Sequence, residues 1–130
     1  MKNLKEKTFH AKAVLGLQKG YSNKIISIED FKTNLLKAQK KIVDKFGVGL
    51  SIQLTPCTIF FLGQDEPSIS LEIIQYPKFP QPEPILKETF IQLIADMMIE
   101  LEQNRTVIQF LDETIMLEQT DTINHKINYN

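Results

Sequence analysis

The sequence predicts an α+β fold in the order strand, helix, strand, strand, helix, strand, with a short extra strand at the C-terminal end. Three observations carry this expectation: two stretches with apolar residues at helical spacing, extended stretches before, between and after them, and turn-forming residues at the joins.

From Phe9 to Leu17, the residues Phe9, Ala11, Ala13, Leu15 and Leu17 alternate with His10, Lys12, Val14 and Gly16. This is the period of a strand with one buried face. Lys19 to Asn23 supply turn residues, and Lys24 to Ile26 read as a short extended piece. Ser27 is a good N-cap, with Asp30 three positions on. Ile28, Phe31, Leu35, Ala38, Ile42 and Phe46 then form one helical stripe, which Gly47 ends. Lys32, Lys37, Lys40, Lys41 and Lys45 fall mostly off the stripe and make the outer side of the first helix basic.

Leu50, Ile52 and Leu54 mark a second strand that Pro56 is expected to bend or end, since proline has no N–H for a sheet ladder. Extended character resumes from Thr58 to Leu62, and Gly63 to Pro67 read as a turn. Ser68 to Tyr76 complete an antiparallel hairpin, with Ile69, Leu71 and Ile73 on one face and Ser70, Glu72 and Ile74 on the other. Residues 77–84 hold four of the six prolines and form a stiff connector. Pro84 suits the first turn of a second helix, whose apolar set is Leu86, Phe90, Leu93, Ile94, Met97, Met98 and Leu101. Glu88, Asp96, Glu100 and Glu102 make its polar side acidic. Arg105 to Leu111 form the last main strand. Asp112–Glu113 either turn the chain so that Thr114 to Leu117 return as an added strand, or continue it straight. Residues 1–118 are read as one domain and residues 119–130 as a polar tail, loosely ordered or docked only through Ile123, Ile127 and Tyr129.

Two β-α-β halves with both helices on one face of an antiparallel sheet make the ferredoxin-like plan. Its other face is open. Val14, Ile74, Phe60 or Phe61, and Ile108, with Ile115 or Leu117, are assigned to that face, which is then more apolar than a solvated surface requires. The expectation is a dimer or trimer that self-associates through the open sheet face. The element order is similar to that of the trimeric regulatory proteins of the PII and CutA types and of the tautomerases. The resemblance stops at element order. Lys2 stands where tautomerase chemistry needs a proline, and no long nucleotide-binding loop of the PII type is evident, so no residue role is carried over.

A chain of 130 residues fits one domain, and 42% apolar with 24% charged residues matches a globular protein. A net charge of −1 gives no general attraction to nucleic acid or to an anionic membrane. The single cysteine, Cys57, cannot form an internal disulfide, and the N-terminal stretch has no apolar run of signal-peptide length. Together these point to a reducing, cytoplasmic setting.

No catalytic motif, cofactor motif or metal-ligand spacing stands out. Cys57 has no histidine or basic cluster near it in sequence, so a structural thiol is the simpler reading. His10 lies on the polar side of the first strand, and His125 in the tail. The acidic pairs Asp65–Glu66 and Asp112–Glu113 are assigned to turns, where solubility accounts for them. The most ligand-like stretch is the loop containing Lys19, Gly20, Tyr21, Ser22 and Lys24, whose glycine, hydroxyls and lysines before a helix suit a small anionic ligand. The sequence therefore predicts a homo-oligomeric binding or regulatory module. The alternative is a small enzyme of isomerase or hydrolase type, with a subunit-interface site built from Tyr21, Lys24, His10 and a carboxylate.

Overall fold

The computed structural model describes residues 1–20 and 22–120. The first strand, β1 (His10–Gly16), is followed by α1 (Ile28–Phe46), β2 (Gln53–Phe61), β3 (Gln64–Ile74), α2 (Glu83–Glu100), β4 (Arg105–Phe110) and β5 (Thr114–Glu118). The five strands form one sheet in the order β2-β3-β1-β4-β5, and every neighbouring pair is antiparallel. The first four strands and two helices follow the expected ferredoxin-like plan, and β5 extends the sheet beyond β4. The turn before β5 is closed by the Phe110 N–H donating to the Glu113 carbonyl at 2.8 Å, so the chain reverses at Asp112–Glu113.

Each element forms for reasons present in its residues. The Ser27 hydroxyl accepts from the Asp30 N–H at 3.1 Å and caps α1, and Gly47 ends that helix at φ 69°. Phe31, Leu35, Ala38 and Ile42 of α1 are buried. Ile28 at the first turn is exposed and Phe46 at the last is half-buried against the core, so the fully buried stripe is shorter than its sequence pattern. Pro84 lies in the first turn of α2, and Leu86, Phe90, Leu93, Ile94, Met97 and Met98 are buried beneath it. On the sheet side, Ala11, Ala13 and Leu15 of β1, Ile69, Leu71 and Ile73 of β3, and Ile108 and Phe110 of β4 complete the core.

The sequence reading needs correction at three places. Pro56 does not break the second strand: it pairs with Ile69 inside β2, which among the described residues is an edge strand bonded only to β3, so its missing N–H costs no ladder bond on the outer side. The turn after β2 is shorter than expected, consisting of Leu62 and Gly63 at φ 48° and 83°. Two consecutive positive φ values suit the right-handed twist of a tight hairpin. Asp65 and Glu66 are therefore strand residues, opposite Phe60 and Ile59. The third correction concerns parity along β4 and β5. Ile108 is fully buried in the core, and Ile115 and Leu117 pack against that same core. Val107 and Met116, which pair with each other, occupy the open face in their place. Val14, Phe61 and Ile74 do lie on the open face, as their register partners Ser70, Gln64 and His10 show.

The parity of β4 makes a direct prediction. Ile108→Ala is expected to cost about 2–5 kcal/mol in urea unfolding, as for other large-to-small core changes. Val107→Ala, one residue away, should cost under about 1 kcal/mol, and equal costs would contradict the register.

Candidate functional site

The open face is mixed rather than uniformly apolar. Antiparallel pairing places Gln53, Glu72, Lys12, Gln109 and Thr114 in one row across all five strands. His10 sits at the edge of this row, its Nε2 3.0 Å from Glu72 Oε1. Toward the other end of β1 the face dips into a cleft of about 270 Å³, lined by Lys12, Val14, Gly16, Ile59, Glu66 and Arg105 among others. Four strands supply these residues, so their spacing is set by sheet hydrogen bonds rather than by loops.

Glu66 is the unusual group. It lies one strand step before Ser68, which pairs with Gly16, and across from Ile59. Its carboxyl Oε1 occupies the space that a Cβ on Gly16 would fill. Gly16 is thus a glycine because a carboxyl crosses over it. Among the described residues no hydrogen bond or ion pair reaches the Glu66 side chain. Burial without a donor pushes its carboxyl above the ordinary value of 4.5. Arg105, also on the cleft wall, is paired with Glu118. Ser70, on the same face, has a buried hydroxyl with no hydrogen-bond partner.

Gln103 borders the cleft from the α2–β4 junction. Its side-chain Nε2 donates to the carbonyls of Gln18 at 2.6 Å and of Leu101 at 3.3 Å. Its Oε1 lies 3.0 Å from the position that a Cβ on Gly16 would take, the same position that Glu66 Oε1 crowds.

The residues singled out from sequence fall elsewhere. Lys19, Gly20, Ser22 and Lys24 come together in a tight turn that bonds to itself: the Lys19 N–H donates to the Lys24 carbonyl at 3.0 Å and the Ser22 hydroxyl to the Lys19 carbonyl at 2.6 Å. Lys19 Nζ is 3.9 Å from Glu102. Tyr21 lies outside the described residues, as do His125 and the expected docking residues Ile123, Ile127 and Tyr129. His10 is held by Glu72 on the open face. Cys57 is half-buried on that face opposite Ser68. Asp112 and Glu113 bind Lys87, whose ammonium donates to Asp112 at 2.8 Å and holds that carboxyl below its ordinary range. Among the described residues no three His, Cys, Asp or Glu side chains are grouped to hold a metal ion, and no helix is long and apolar enough to cross a membrane.

In sequence Glu66 is inconspicuous because the Asp65–Glu66 pair reads as part of a turn. The signal that reveals it is alternation: Pro67, Ile69, Leu71 and Ile73 continue one face of β3, and Glu66, Ser68, Ser70 and Glu72 the other.

No protein-family model matches the sequence, and no curated protein does. Two solved structures share its architecture. A phage SAM lyase in complex with S-methyl-5'-thioadenosine aligns with a TM-score of 0.63 at 17% identity, over 91% of this chain and 95% of that one. A phage SAM lyase in the apo state aligns with a TM-score of 0.66 at 16% identity, over 95% and 98% of the two chains. At such identity the likeness establishes a shared fold.

A raised carboxyl pKa has a definite sign in stability. The folded state holds the Glu66 proton more tightly than the unfolded chain, so stability falls as pH rises from about 4.5 through the folded value. Glu66→Gln removes a desolvated charge and is expected to raise the Tm at pH 7. The gain should vanish below about pH 4.5, where wild-type Glu66 is protonated in both states. A thermal melt series across pH checks both halves.

Proposed function

We propose that this chain is a small lyase that binds an S-adenosylmethionine-type sulfonium on the open face of its sheet and releases the thioether S-methyl-5'-thioadenosine. The observation that carries the proposal is the donor-less carboxyl of Glu66, fixed over Gly16 in a cleft of a scaffold shared with a SAM lyase. Breaking the bond between sulfur and the aminobutyryl carbon leaves the electron pair on sulfur, which changes from a cation to a neutral thioether. The carbon regains its bond either from the substrate's own carboxylate oxygen, closing a lactone, or from a neighbouring C–H pair whose proton passes to Glu66, leaving an alkene. A carboxylate in a desolvated cleft is the side chain that balances such a cation, and burial, which raises its pKa, makes it a better proton acceptor than an exposed carboxylate.

The cleft alone is small for this ligand, since sites for ligands of this size usually span about 300–1,000 Å³. The exposed Ile59, Phe61, Val107 and Met116 lie on the same face. A second copy of the chain laid on this face, in a dimer or trimer, would cover these side chains and enclose the ligand. This returns to the interface enzyme that the sequence allowed, with Glu66 as the carboxylate and lyase chemistry in place of isomerase or hydrolase chemistry. A cytoplasmic setting belongs to the same proposal.

Incubation of the purified protein with S-adenosylmethionine, followed by chromatography for S-methyl-5'-thioadenosine, is expected to show product above the spontaneous rate. Glu66→Ala should lower that rate by about 100-fold or more. Gly16→Ala, whose new methyl expels the carboxyl from its place, should lower it as well while leaving the fold intact. Product at the blank rate would overturn the proposal. Ligand bound without turnover would return the protein to the binding or regulatory module expected from sequence.

A further inference from the structure

Resting on the assignment of Glu66 as the working carboxyl, the geometry points to Gln103 as a positioning residue. Its amide is turned so that the carbonyl oxygen, and not the NH2, faces Glu66, which favours the carboxyl that carries a proton.

The orientation of this amide is dictated by its other neighbours. The Gln18 and Leu101 carbonyls are acceptors and require the Nε2 side of the amide. The Gln103 carbonyl also accepts from Gln119 Nε2 at 2.7 Å, and its N–H donates to the Met98 carbonyl at 2.9 Å, so the backbone carrying the side chain is held from two sides. Flipping the amide would set its oxygen against the carbonyl oxygens of Gln18 and Leu101. Oε1 is thereby left on the cleft side, where it and Glu66 Oε1 both crowd the position that a Cβ on Gly16 would take, Gln103 Oε1 at 3.0 Å from it and Glu66 Oε1 closer still. An acceptor beside a carboxyl stabilises its protonated form, which can donate to it, and repels the carboxylate.

The charged groups around Glu66 act in the other direction. Lys12 from β1 and Arg105 from β4 also line the cleft, and a cation there favours the carboxylate. Arg105 is engaged by Glu118, and β2 contributes the uncharged Ile59 opposite Glu66. Gln103 is the neutral group whose orientation tips the balance toward the proton.

Two substitutions separate this role from a merely structural one, because they move Glu66 in opposite directions. Gln103→Met removes the acceptor and is expected to lower the pH at which the Glu66 carboxyl titrates. Gln103→Glu puts an anion in its place and is expected to raise that pH by about one unit or more. The readouts are the Glu66 side-chain carboxyl titration by carbon NMR and the limb of the pH–rate profile that reports Glu66. Shifts of opposite sign support the proposal. Unchanged titration in both variants, or shifts of the same sign, overturn it. A wild-type protein that does not cleave S-adenosylmethionine sinks the functional reading, while the NMR titration still decides the role of Gln103.

Discussion

The alternation along β1 governs both the core and the cleft. Ala11, Ala13 and Leu15 are fully buried on the helix side, while Lys12, Val14 and Gly16 line the cleft on the other. β1 is the central strand, bonded to β3 along its length and to β4 on its opposite edge. A slip of one residue would turn Lys12 into the core and Ala13 out to the cleft, at a cost of burying an unpaired ammonium. The register that the core demands is therefore the register that sets Gly16 beneath the Glu66 carboxyl.

That arrangement runs against stability. A carboxyl withdrawn from water without gaining a donor is a destabilising feature that a merely structural protein has no use for. Other acidic groups have cationic or imidazole partners: Asp112 and Glu113 share Lys87, Glu118 binds Arg105, and Glu72 meets His10. Lys87 also lies over the Phe110 ring at 5.1 Å, which ties the start of α2 to the end of β4 and explains the acidic turn as a clamp. Glu66 stands apart because, among the described residues, no donor or ion pair reaches its carboxyl, and burial favours the form that keeps its proton.

Much of the fold was legible in the sequence, and the reasons differ by element. The cap at Ser27, the stop at Gly47 and the apolar stripe of α1 are local chemistry, and they read correctly. β1 and the later part of β3 declared themselves by period two. Pro56 misled because tolerance of proline depends on whether a strand lies at an edge, a property of the whole sheet. Gly63 to Pro67 misled because turn-forming residues cluster there while only Leu62 and Gly63 turn. Val107, Ile108, Ile115 and Met116 are all apolar, so nothing local distinguishes the face each one takes, and only pairing with β1 settles it. The cleft was hidden for a related reason: Gly16, Glu66 and Gln103 are far apart in sequence, and the empty place over Gly16 has meaning only once Glu66 lies across it.

The central claim is that the open sheet face around Gly16 and Glu66 is the ligand site. Backbone amide shifts recorded by NMR while S-methyl-5'-thioadenosine is added test it directly. The account predicts that the amides of Val14, Gly16, Glu66, Ser68 and Val107 move together and saturate with one affinity. Changes confined to residues 19–24, or to the helices on the other side of the sheet, would contradict it.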